Sequence, residues 1–130
     1  MQECHFPVTV YLEDTDAQGI VYHANYLKYC ERARTTMLKL NGYSLSEMQA
    51  KGVLFVVFEM HLRFQSPARL HEELDVHSTA VRSSDYRLTF QQEVLREGAP
   101  KALFVAEVSV VTIDSSGRLC PLPEDLLATA

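Results

Sequence analysis

Glu13-Asp14-Thr15-Asp16-Ala17-Gln18-Gly19-Ile20-Val21-Tyr22-His23-Ala24-Asn25-Tyr26 joins an alternating strand to a long amphipathic helix. Ahead of it, Val8, Val10 and Leu12 alternate with Thr9, Tyr11 and Glu13, which predicts a half-buried strand over Phe6 to Glu13. Asp14 to Gly19 ends that strand, because Asp, Thr and Gly favour turns held by local side-chain hydrogen bonds. Behind it, Tyr22, Tyr26, Tyr29, Cys30, Ala33, Met37 and Leu40 recur at helical steps. That predicts a helix from about Ala24 to Leu40, stopped by Asn41-Gly42. Lys28, Glu31, Arg32 and Thr35 fall off the stripe, so one face of the helix packs on something flat. Ala33, at mid-helix, lets a sheet approach closely.

Downstream, Ser44-Leu45-Ser46-Glu47 has the pattern of a capping box and predicts a short second helix to about Lys51. Four strands are predicted after it: Val53 to Gln65, Glu72 to Arg82, Tyr86 to Arg96 and Lys101 to Ile113. The turns between them, Ser66-Pro67-Ala68, Ser83-Ser84-Asp85 and Glu97-Gly98-Ala99-Pro100, are short, so mostly antiparallel hairpins are expected. The last strand is apolar on both faces, as an interior strand is. The tail from Leu119 to Ala130 is expected to be irregular. These elements define an α+β fold with one long helix lying across one antiparallel sheet of about five strands. Strands of this length outreach the helix, so the sheet is expected to curl around it. A sheet with a single helix keeps a spare face and open edges, which a second subunit would cover as a dimer or a dimer of dimers.

With 130 residues, 47% apolar and 22% charged, the chain reads as one globular domain, 1–130. No apolar run approaches the ~20 residues that span a bilayer, and the first residues carry no signal-peptide pattern, so a cytoplasmic location is expected. A net charge of −5 counts against nucleic acid as a partner. Arg32, Arg34, Arg63, Arg69, Arg82 and Arg87 are spread over several elements and read mainly as solvated surface. Cys4, Cys30 and Cys120 are odd in number and far apart, which speaks against a disulfide scaffold; Cys30 lies on the helix stripe and reads as core.

Asp16 is the sharpest candidate for chemistry, because it is a carboxylate in a bend just ahead of a helix N-terminus. Free N–H groups and a partial positive charge collect at such an end. An acid or base beside an oxyanion donor suits acyl chemistry. His23 precedes the helix and has two open roles: its ring as a hydrogen-bonding group, or its backbone N–H as a carbonyl polariser. Asn25 reads as a cap or turn brace, and Tyr22 as possible core. Glu31 is as well explained by a surface pair with Arg34 or Lys28. His61, His71 and His77 show no metal-ligand spacing. Gly-x-Ser-x-Gly, P-loop and Gly-x-Gly-x-x-Gly motifs do not occur in the chain.

The run from Val10 through Asp14-x-Asp16-x-x-Gly19-x-Val21-Tyr22-His23-x-x-Tyr26 to Cys30-Glu31-Arg32-Ala33-Arg34 resembles the hotdog-fold acyl-CoA thioesterases. It is most similar to the 4-hydroxybenzoyl-CoA thioesterase family in its YbgC-like, Tol-Pal-associated branch. Ser66-Pro67-Ala68-Arg69-Leu70-His71-Glu72-Glu73-Leu74 resembles a second stretch of that family. The resemblance implies a sheet wrapped around one helix, dimers with a continuous sheet that often pair into tetramers, and a site at the dimer interface. It implies Asp16 as nucleophile or general base and the His23 N–H as the group that polarises the thioester carbonyl. Tyr22, Asn25 and Gln18 are expected around the substrate, with pocket length set by Phe55, Phe58, Met60 and the partner subunit. Gln18 stands where the branch often has a second Gly, which bears on chain-length preference. No metal or cofactor is implied, since CoA is part of the substrate. The competing expectations are a thioesterase acting on acyl carrier protein, a non-catalytic hotdog module that binds partners in an envelope complex, and, more remotely, a hotdog dehydratase.

Overall fold

The computed structural model describes residues 2–126. Its elements are β1 (Gln2–Thr9), a 3-10 turn (Leu12–Asp14), α1 (Asn25–Leu40), α2 (Leu45–Ala50), β2 (Leu54–Phe64), β3 (Glu73–Arg82), β4 (Arg87–Arg96) and β5 (Ala102–Ile113). The five strands form one antiparallel sheet in the order β1-β3-β4-β5-β2. The long helix packs on β1, β3 and β4. This is the hotdog arrangement, one main helix held by a five-stranded antiparallel sheet.

The core lies between α1 and the inner face of the sheet. Tyr26, Tyr29, Cys30, Ala33 and Met37 supply the helical stripe, and Leu74, Val76, Leu88, Phe90, Val94, Phe104 and Val108 meet it. Ala33 and Cys30 are buried at mid-helix, where small side chains let the sheet come near. Leu40, at the end of the stripe, is exposed because the helix stops there. Ser44 caps α2 by accepting from the Glu47 N–H, as the capping box predicts.

The first strand lies earlier in the chain than its alternation suggests. Residues Gln2 to Thr9 pair with Ala80 to Glu73 of β3, and Val10 stays buried, but Leu12 is 74% exposed. The chain leaves the sheet at Val10 because the side chain of Asp14 accepts the Tyr11 N–H at 2.9 Å, closing a 3-10 turn. A second difference concerns Ser66-Pro67-Ala68, which is not a hairpin turn. β2 and β3 are not neighbours, so the segment after Phe64 crosses from the β2 edge to the other side of the sheet. β3–β4 and β4–β5 are the hairpins.

In β2, the pairing skips Phe58: Val57 faces Val110 and Glu59 faces Ser109. This bulge removes Phe58 from the alternating set, and the Arg87 guanidinium lies 4.7 Å over its ring instead. Arg34 departs from the solvated-surface reading, because it is buried at the helix–sheet contact and donates to Gln92 at 3.0 Å. Gln92 in turn donates to the Cys30 carbonyl at 3.0 Å and to Ser78 at 2.9 Å. Glu31 accepts from Thr35 at 2.9 Å. The tail is irregular as expected up to Leu126, tied down by Arg82 donating to the carbonyls of Pro123 and Leu126; the expectation for 127–130 lies outside the described residues.

Candidate active site

The bend after the first strand is a miniature hairpin. Thr15 bridges to Val21, the Asp16 N–H donates to the Ile20 carbonyl at 2.9 Å, and the Gly19 N–H donates back to the Asp16 carbonyl at 3.0 Å. Gly19 sits at φ +78°, a left-handed conformation that glycine reaches without steric cost. The carboxylate of Asp16 is half-buried, and its Oδ1 accepts the Gln18 N–H at 2.8 Å. Gln18 therefore touches Asp16 through its backbone. Oδ2 makes no hydrogen bond within the described residues and is available to a substrate or a water.

Asp14 has a different job. It is buried, and its two oxygens accept from the Tyr11 N–H and from the side-chain amide of Asn25, both at 2.9 Å. Asn25 is the first residue of α1 and is buried too, so this pair ties the helix start to the turn that precedes Asp16. The Tyr29 hydroxyl lies beside them, and burial together with the Asp14 carboxylate drives it well above the ordinary phenol range.

The crossover segment closes the other wall. The Val21 N–H donates to the Ala68 carbonyl at 2.9 Å, Ile20 bridges to Arg69, and the Ala68 N–H donates to the Tyr26 hydroxyl at 3.0 Å. Burial raises the Tyr26 hydroxyl above its usual pKa, which keeps it neutral in that role. Between the two walls lies a cavity of about 410 Å³, lined by Asp16, Gln18, His23, Tyr26, Phe64 and Pro67 among others. Phe64 packs edge-on to Tyr26 and to the His23 ring, with centroids 5.9 and 6.3 Å away.

At the helix start, the N–H groups of Val21, Tyr22 and Asn25 all donate to backbone carbonyls. Those of His23 and Ala24 have no acceptor among the described residues. Unspent donors thus stand at the positive end of α1, and the one on His23 belongs to a residue that lines the cavity with Asp16.

The structure gathers Asp16, Gln18 and His23 on one cavity. It does not bring Tyr22 or Asn25 to that lining: Tyr22 faces solvent, its ring tilted 47° to the His23 ring with centroids 4.4 Å apart, and Asn25 is spent on Asp14. Phe55, Phe58 and Met60 are likewise absent from the wall, which Phe64 forms at the far end of β2. Sequence reasoning missed Phe64, Gln65, Ser66 and Pro67 as lining residues. Pro67, within the Ser66 to Leu74 stretch, was the available signal.

A turn-held carboxylate beside a helix start is an arrangement suited to acyl chemistry. Residues 10–129 match the family model described as the thioesterase-like superfamily. The chain is 40% identical over 109 residues to acyl-CoA thioester hydrolase YbgC of Escherichia coli O6:H1, covering 84% of this chain and 81% of that one. A probable thioesterase from Bartonella henselae is 31% identical, with a TM-score of 0.87 over 94% of this chain and all of its own (100%). A 1,4-dihydroxy-2-naphthoyl-CoA thioesterase from Synechocystis is 25% identical, with a TM-score of 0.89 over 95% of this chain and 91% of its own. The chain belongs to the thioesterase-like superfamily.

Proposed function

We propose that the chain hydrolyses acyl-CoA thioesters to the free acid and CoA. The carrying observation is the free Oδ2 of Asp16 on the same cavity as the unspent N–H of His23. Asp16 acts as general base toward water or as nucleophile. As base it takes a proton from water while the oxygen attacks the thioester carbonyl carbon. The carbonyl electrons move onto oxygen, where the His23 N–H and the α1 dipole stabilise them. Collapse breaks the C–S bond and releases the CoA thiolate, which takes up the proton. A thiolate leaves readily, so the step calls on neither a strong general acid nor a metal ion, and CoA enters only as part of the substrate. The ring of His23 is dispensable in this scheme.

The site is completed by a second copy of the chain. β2 is an edge strand, and Val56, Val57, Phe58, Leu62 and Phe64 are exposed on it. Pairing two such edges in a homodimer covers them and closes the Phe64 side of the cavity.

The test is turnover on a panel of short aliphatic, long aliphatic and aromatic acyl-CoAs. Asp16→Ala and Asp16→Asn should lower kcat by about 10²–10⁴-fold with the fold and oligomer intact, whereas His23→Ala should retain most activity. Near-normal hydrolysis by Asp16→Ala sinks the reading. A hydroxamate formed on Asp16 itself when hydroxylamine is added in a single turnover, located by peptide mapping, separates the two roles, since only a nucleophilic Asp16 forms an anhydride.

A further inference from the structure

On the outer face of the sheet, the register sets His5 of β1 opposite His77 of β3. Their rings stack with centroids 4.6 Å apart and planes 18° from parallel. Glu3, on the same face of β1, places Oε1 3.4 Å from Nε2 of His5 and 3.4 Å from Nε2 of His77. Behind His5, Nδ1 lies 2.6 Å from Oδ2 of Asp75. A carboxylate only accepts, so the neutral His5 ring keeps its proton on Nδ1 and leaves the Nε2 lone pair beside Glu3. Nε2 of His77 is shut off from solvent and has no hydrogen-bond partner among the described residues. Two imidazole nitrogens and one carboxylate oxygen therefore converge, each within 4.8 Å of the others.

The geometry points to a divalent transition-metal site of the zinc type, built from His5 Nε2, His77 Nε2 and Glu3 Oε1 with water as the fourth ligand. Atoms bound about 2.0–2.1 Å from a tetrahedral zinc stand about 3.3–3.4 Å apart, which matches the spacing from Glu3 to each imidazole. Imidazole ligands suit zinc, nickel or copper and not magnesium or calcium. Asp75 is the carboxylate behind a ligating histidine that holds its tautomer and raises its basicity. None of these residues lines the Asp16 cavity, so the ion has no part in hydrolysis. It clamps β1, an edge strand that pairs with β3.

Calorimetric titration of zinc chloride into chelator-stripped full-length protein at neutral pH tests this, with magnesium chloride as the control. One zinc per chain is expected in the micromolar range or tighter, and no magnesium. His5→Ala and His77→Ala should each weaken zinc binding about tenfold or more, and Asp75→Asn about 10–100-fold. His61→Ala, which removes the separate His61–Glu59 contact, should leave it unchanged. Zinc should also raise the melting temperature of the parent chain and not that of His77→Ala. Absence of zinc binding to the parent chain overturns the site. So does equal binding by His5→Ala and His77→Ala variants that circular dichroism shows to be folded.

Discussion

Asn25 donates its side-chain amide to Oδ1 of Asp14 at 2.9 Å, and both residues are buried. This bond joins the helix that carries the His23 and Ala24 donors to the turn that carries Asp16. Removing it by Asn25→Ala leaves a buried carboxylate oxygen without its partner. The expected loss is about 1–3 kcal/mol of stability, read as a shift in the denaturant midpoint. Turnover should fall with it, because the two halves of the cavity lose their common tie. Unchanged stability and unchanged kcat would contradict this role.

Gly19 holds the Asp16 turn at φ +78°, with open space where a Cβ would stand. Gly19→Ala meets no clash beyond the backbone strain of that conformation, worth about 1–2 kcal/mol. If the turn relaxes to relieve the strain, Oδ2 moves. A fall in kcat larger than the change in stability is the expected signature, measured by pairing kinetics with chemical denaturation.

The buried Arg34 guanidinium rests on the Gln92 amide oxygen at 3.0 Å, with no carboxylate bonded to it among the described residues. Burial lowers its pKa from the ordinary arginine value. Gln92→Leu strands that charge, and a loss of about 3–5 kcal/mol is expected. Arg34→Met combined with Gln92→Leu should recover much of it, since an apolar pair of similar volume fits the helix–sheet contact. A double-mutant cycle by urea unfolding gives the coupling; additive losses would show that the two side chains act independently.

Glu72 links the crossover segment to β4. Burial pushes its carboxyl pKa up, but the Arg96 guanidinium at 2.5 Å and the Arg69 N–H at 2.6 Å outweigh this and hold it below the usual range. A depressed folded pKa means the stabilisation is fully present above the unfolded value of about 4.3. It is lost as pH falls through the lower folded value. Glu72→Gln should therefore reduce the acid sensitivity of the unfolding midpoint below about pH 4.3, leaving a flatter profile than the parent chain's.

Cys30 is fully buried on α1, and its thiol is pushed up to about 11 by burial. The thiolate is the reactive form, so Cys30 should not react with a thiol reagent such as Ellman's in the native protein. It should react only on unfolding, at the rate of global opening. Prompt modification under native conditions, located by peptide mapping, would place Cys30 outside the core.

Periodicity and turn chemistry are local properties, and they were legible in the chain alone. The three- and four-residue steps from Tyr26 to Met37 marked the buried face of α1, and Ser44 with Glu47 marked the cap of α2. Asp16, Gly19 and His23 stood out because a turn and a helix start lie within ten residues of one another, so their proximity needs no long-range contact. What depends on which strands become neighbours was not legible. Leu12 continues the alternation of β1, yet the Asp14 side chain ends the strand before it. Phe64 and Pro67 reach the cavity only because β2 sits at the far edge and the chain must cross back to β3. His5 and Asp75 stand 70 residues apart in sequence, and the contacts of His5 with Asp75 and with His77 exist only through the antiparallel register of β1 on β3. The sequence by itself determined the helix, its buried face and the acid ahead of it, because short-range sterics and hydrogen bonding suffice for those. Strand order and register, which set the second cavity wall and the histidine pair, came from burying the whole sheet against α1 at once, and only the tertiary structure decided them.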